Sequence, residues 1–150
     1  MEAESYADDE VSSFINKNFL PLEAHIKEHP AYFHRFDAVW TPTVLIMDSN
    51  GEERWRIEGY LPKEEFRAQL EIGLARVAFM QKHWADAEQR YADVVEHYPE
   101  TAAAPEAVYW RGVSQYKRTN DHTVLGQITE QLNQKYPASV WAQKASVWSH

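Results

Sequence analysis

Residues 40–58 constrain the fold of this chain more than any other stretch. A proline at 42 fronts the run Thr43-Val44-Leu45-Ile46-Met47, and Asp48-Ser49-Asn50-Gly51 closes it. Glu53 to Glu58 then alternates Trp55 and Ile57 against Arg54, Arg56 and Glu58. A short apolar run between turn residues reads as a buried strand, and strict alternation reads as a strand with one wet face. With an Asn-Gly turn between them, the two should pair antiparallel. The expectation is a strand over 44–47, a tight turn over 48–51 and a second strand over 53–58.

The flanks read as follows. Asp8-Asp9-Glu10 supplies an acidic start, and Val11, Phe14 and Ile15 share one face of a short amphipathic helix running to Asn18. Phe19 to Ala24 reads as a strand, at a sheet edge or a bulge because Pro21 cannot donate to a ladder. Pro30 opens a second helix through Phe36 that should bury Phe33 and Phe36. Pro62 suits a first helical turn, and Glu64 and Glu65 sit well for the helix dipole. A long helix should therefore run to Lys82, with Phe66, Leu70, Leu74 and Val77 as its buried stripe. Beyond it no strand signal remains, and helices are expected near 84–97, 104–118, 121–135 and 139–148.

This second half contains an internal repeat. Tyr98-Pro99 recurs as Tyr136-Pro137, Ala104 as Ala142, Ala107 as Ala145 and Trp110 as Trp148, all at an offset of 38 residues. A fixed period signals stacked units, and the short turns suit antiparallel helix pairs. Tyr91, Trp110, Tyr116, Trp141 and Trp148 read most simply as packing between helices, with an exposed subset lining a peptide groove as the alternative.

Composition removes several functions. The chain has 150 residues, 44% of them apolar, enough for one domain or two small ones. No apolar run approaches the roughly 18 residues of a membrane span, and the acidic N-terminus is unlike a signal peptide. The expected location is cytoplasmic, with no membrane partner. A net charge of −8 with scattered Lys and Arg gives no basis for nucleic-acid binding. There is no cysteine, so these residues offer no disulfide, thiolate metal site or thiol nucleophile. His25 and His29 have the spacing of two ligands on a helical turn, but Pro30 makes that stretch a poor helix. With His34 they read as surface or capping histidines. No catalytic residue, metal or cofactor is assigned.

Thr41-Pro42-Thr43, the Asp48 to Gly51 turn and Gly59-Tyr60 before the long helix together resemble the C-terminal part of a thioredoxin-like domain, over roughly residues 1–75. The resemblance implies a cis Thr41–Pro42 bond. It also implies a peptide-binding groove at Trp40, Thr41, Pro42, Gly59 and Tyr60, with Thr41 as the substrate-contacting position. For Tyr60 the alternative is packing against the long helix. The family also has a central strand and a Cys-x-x-Cys turn ahead of this region. Met1-Glu2 is similar to the apolar-Glu pair that follows the second cysteine, so the chain is expected to begin just downstream of the reactive motif.

Without that strand, each main-chain group left buried and unpaired would cost about 1–3 kcal/mol, against a domain stability of about 5–15 kcal/mol. Three remedies stay open: residues 19–24 move across to pair with 43–47, another chain supplies a strand, or the gene product is longer.

The helical half resembles a tetratricopeptide-type array. Leu74-Ala75, then Ala87, Tyr91 and Pro99, match that family's small and aromatic positions, while Leu125 and Thr129 depart from them in the second unit. One good repeat, a degenerate second and a terminal capping helix are expected. The fold class is thus α/β: a truncated thioredoxin-like sheet with helices over 1–75, continuing into an α-helical tetratricopeptide-like array over 63–150. The two share a helix at about 63–82, with no Gly/Ser-rich spacer. The implied function is a redox-inactive protein- or peptide-binding module. The alternative is the C-terminal portion of a thiol-disulfide oxidoreductase whose cysteines lie upstream of Met1. A homodimer through the incomplete sheet is a further expectation.

Overall fold

The computed structural model describes residue 5 and residues 7–149. The Met1-Glu2 pair lies outside the described residues. Helix α1 (Asp9–Asn18) begins where the Asp8 carboxylate accepts the N–H groups of Glu10 and Val11, at 3.0 and 3.2 Å. This satisfies two of the donors a helix start leaves free. Val11 is fully buried, with Phe14 and Ile15 half-buried beside it. Lys63 reaches Asp8 at 3.0 Å and Glu10 at 3.3 Å, tying this end to the next long helix.

The expected strand at 19–24 does not form. Phe19 caps α1 in an extended conformation, and Leu20 and Leu22 are 98% and 82% exposed. A strand needs a ladder partner, and a short apolar segment alone provides none. Pro21 further removes one donor. Pairing of 19–24 with 43–47 is therefore not how this chain closes its sheet. Helix α2 (Pro30–Arg35) follows, and Phe33 and Phe36 are half-buried rather than buried as expected. Six residues are too few to present a continuous apolar stripe. The Arg56 guanidinium fastens the segment by donating to the carbonyls of Phe36 and Asp37.

Strands β1 (Thr43–Met47) and β2 (Glu53–Glu58) form an antiparallel hairpin in which Val44 faces Ile57 and Ile46 faces Trp55. The register shifts between Ile46 and Met47. In the turn, Asp48 accepts N–H groups from Asn50 and Glu52 and pairs with Arg54 at 2.9 Å. Gly51 sits at φ +80, a conformation that favours glycine.

Helix α3 (Lys63–Met80) is buried on two sides, whereas the apolar stripe named from the sequence describes a single face. Phe66 and Leu70 join Val11, Ile46 and Ile57 under the hairpin. Ala68, Ile72, Ala75 and Ala78 face the other way, into a core with Ala87, Tyr91, Val94, Ala103 and Ala107. Of the stripe expected from sequence, Leu74 and Val77 are only half-buried. At Gly73 the helix lies directly on Ile46, so a Cβ there would collide with that side chain.

Helices α4 (Trp84–His97), α5 (Ala103–Thr119), α6 (Thr123–Lys135) and α7 (Val140–Ala145) follow through short turns. The helix expected over 139–148 ends at Ala145 and finishes as a 3-10 turn, Ser146–Trp148. The two halves of the helical region repeat the same local geometry 38 residues apart. Tyr98 ends α4 at φ −131, ψ 49, its N–H bonded to Val94 O; Tyr136 ends α6 at φ −135, ψ 53, its N–H bonded to Leu132 O. Thr101 Oγ1 donates to Tyr98 O at 2.7 Å, and Ser139 Oγ to Tyr136 O at 2.8 Å. Where the first unit has buried Tyr91, the second has Thr129, whose hydroxyl lies 3.0 Å from Leu125 O and 2.9 Å from Ala145 O. The Tyr136 hydroxyl donates to Pro99 O at 2.8 Å, linking the two equivalent turns.

Candidate functional site

The main-chain geometry of β1 identifies an open edge. Among the described residues the sheet has two strands, β1 and β2. Gly59 N–H donates to Pro42 O at 2.8 Å, marking residues 42 and 59 as a hydrogen-bonded pair. Bonded and non-bonded pairs alternate in an antiparallel ladder, so Val44 with Ile57 and Ile46 with Trp55 also exchange main-chain bonds. Past the register shift, Asp48 N–H donates to Glu52 O at 3.0 Å, so Met47 is again a non-bonded position. The N–H and C=O groups of Thr43, Leu45 and Met47 therefore point away from β2. Among the described residues no main-chain bond from outside the hairpin reaches them.

The expected groove residues lie at one end of that edge. The Thr41–Pro42 peptide bond is cis. Thr43 Oγ1 donates to Trp40 O at 2.6 Å, closing the loop around it. Gly59, at φ +83, is bonded to Pro42, and a Cβ built on it would lie 4.0 Å from Trp40 Cδ1. The structure thus brings Trp40, Pro42 and Gly59 together, with Thr41 exposed between the first two. Trp40 is 67% exposed, so its ring stands in solvent beside the loop, and Tyr60 is 48% exposed. Val39, which sequence reasoning did not single out, is 79% exposed next to Trp40. Its signal was present in the chain as an apolar residue with no helical or strand periodicity around it.

Residues 1–73 match the family model of a thioredoxin-like domain. The match runs from the N-terminus into α3, taking in the hairpin and the cis-proline loop and leaving α4–α7 outside it. No curated protein and no solved structure matches the chain. Thiol–disulfide exchange requires a thiolate, and these 150 residues include no cysteine.

Other candidate groups lie elsewhere. His25, His29 and His34 are exposed, and His25 Nδ1 accepts the Lys27 N–H at 3.3 Å. On α4, ligand atoms of Asp93, Glu96 and His97 fall within 4.8 Å of one another. Their i, i+3, i+4 spacing puts them on one helix face and was readable from the sequence. Glu96 and His97 are exposed, and His97 Nδ1 already lies 2.9 Å from Asp93 O, so we assign this trio no ligand. No described helix is long and apolar enough to cross a membrane.

Proposed function

We propose that the chain is a redox-inactive binding module that takes an extended protein or peptide segment along the outer edge of β1, beside Trp40, Thr41, Pro42, Gly59 and Tyr60. The observation that carries this reading is the set of outward main-chain groups on Thr43, Leu45 and Met47. An added strand would pair with them in the manner of β-augmentation. Each bond contributes only about 0.5–1.5 kcal/mol net, so the ladder would set register, while affinity would come from side chains resting on Val39, Trp40 and Tyr60. In this reading residues 1–75 form the binding unit and 63–150 a tetratricopeptide-like scaffold, joined by α3.

The test uses peptides selected on the purified chain from a displayed library. Leu45→Pro removes an outward N–H without touching the bonds to β2, and Leu45→Ala controls for the lost side chain. Selected peptides should bind Leu45→Ala and fail on Leu45→Pro. Equal binding to both removes the edge from the proposal.

Two further readings rest on specific observations. The family match over residues 1–73 supports the C-terminal portion of a thiol-disulfide oxidoreductase; an in-frame stop immediately upstream of Met1, in place of a Cys-x-x-Cys, would end that reading. The exposed, extended Leu20 and Leu22 support a homodimer in which residues 19–24 of one copy lie on β1 of another. Light scattering that gives a monomer at every concentration would exclude it.

A further inference from the structure

A second surface, built from residues beyond the matched segment, joins α3, α5 and α7. Arg76 on α3 lies with its Cζ 5.1 Å from the Trp110 ring centroid and 5.9 Å from that of Phe79. Trp110 on α5 meets Phe79 edge-on at 5.3 Å and Trp141 on α7 at 6.4 Å. Lys144, one turn along α7, places Nζ 4.1 Å from the Trp141 centroid. Two cations thus bracket a pair of half-buried indoles.

Arg76 and Lys144 lie within the field of the Glu106 carboxyl, but among the described residues none of the three makes a hydrogen bond or a close ion pair. Arg54, Arg56, Arg67, Arg90, Arg111 and Arg118 each hold an oxygen acceptor within hydrogen-bond distance. Arg76 makes no hydrogen bond or ion pair among the described residues, although the rings hold its planar fork in place. Lys144 and Glu106 likewise have no such partner there. A guanidinium oriented by aromatic faces and lacking an acceptor suits bidentate recognition of a carboxylate.

We propose that this face docks an acidic segment of a partner protein, its Asp or Glu side chains on Arg76 and Lys144 and an apolar or aromatic side chain between them against Trp110 and Trp141. Charge favours such an occupant. Facing Glu106 are Arg76 from α3, Tyr91 from α4 and Lys144 from α7. Burial pushes the Glu106 carboxyl up to about 7 against the pull of Lys144 and Arg76, so near neutrality the patch holds two cations against a partly neutralised acid. On a chain of net charge −8 this is a local reversal of sign. Following the rings, the two cations lie at most about 16 Å apart, which four or five extended residues span at about 3.3–3.6 Å each.

The probe is a fluorescein-labelled, C-terminally amidated peptide with a Glu-x-Phe-x-Glu core, compared with versions carrying Gln or Lys in place of Glu. The Glu peptide should bind, the Gln version at least about tenfold more weakly and the Lys version not at all, with affinity falling as salt rises. Arg76→Gln and Lys144→Gln should each weaken the Glu peptide about tenfold, with circular dichroism confirming the fold. Arg76→Lys should recover only part of the loss. Glu106→Gln should tighten binding at pH 8 and leave it unchanged at pH 5. Equal binding of Glu and Lys peptides, no loss in either cation variant, or equally tight binding by the Gln peptide with a free C-terminus would each overturn the proposal. None of these residues belongs to the cluster packed under the hairpin, so the result is independent of the edge reading.

Discussion

Ile128 occupies the space that a side chain at Gly112 would fill. A Cβ on Gly112 would overlap Ile128 Cγ1 and lie 3.2 Å from Ile128 Cβ, so α5 and α6 approach as closely as they do because residue 112 has none. The first prediction follows. Gly112→Ala should destabilise the chain by about 1–3 kcal/mol, despite a helix-propensity gain of about 1 kcal/mol. At Gly73 the overlap is chiefly with the Ile46 δ1 methyl, with Cγ1 already at 3.2 Å, and a rotamer change relieves much of it. Urea unfolding should therefore rank Gly73→Ala as the milder variant.

Glu106 makes stability depend on pH. Its folded pKa, about 7, lies above the ordinary 4.5 because burial disfavours the charged form. Below 4.5 both folded and unfolded states hold the proton and there is no penalty. Between 4.5 and 7 the unfolded state releases it first, so stability falls as pH rises, by up to about 3 kcal/mol in full above 7. Glu106→Gln should be the more stable protein at pH 8 and should lose that advantage at pH 4.5, as read by thermal melts at the two values.

Glu71 is buried to 5% exposure on α3 and bridges Arg67 at 3.2 Å and Arg90 of α4 at 3.1 Å. Glu71→Ala should cost about 1–3 kcal/mol, since it leaves two guanidinium groups in a partly buried site without their acceptor. A variant in which both arginines are also replaced should recover part of that loss.

The tie between equivalent turns is weaker. Tyr136→Phe removes the bond to Pro99 O and keeps the ring, so it should cost about 0.5–1.5 kcal/mol. Amide exchange should speed up around Pro99 and Tyr136 and stay unchanged in the hairpin.

The chain announced some of this and concealed the rest, for physical reasons. The hairpin and the helices from Lys63 to Lys135 were legible within two or three residues because periodicity, turn residues and prolines agreed. Phe19 to Ala24 misled because a short apolar segment describes what a strand presents, not whether a neighbour exists to pair with it. The second buried face of α3 was hidden by its composition. Ala68, Ala75 and Ala78 carry little apolar signal, yet their smallness is what lets α4 approach. Trp40, Pro42 and Gly59 were grouped through the resemblance to a thioredoxin-like domain, and it is the hairpin register that returns Gly59 to Pro42 across 17 residues of chain. Arg76, Glu106, Trp110 and Lys144 were not grouped, since three separate helices bring them together.

Helix α3 has one face under the hairpin and the other in the helical core, with Phe66 and Leu70 on one side and Ile72 and Ala75 on the other. Neither half can therefore be swapped into another protein as a cassette. Cutting at either end of α3 would strip one neighbour of its wall, so recombination could exchange these halves only by carrying the helix along and rebuilding the face left behind.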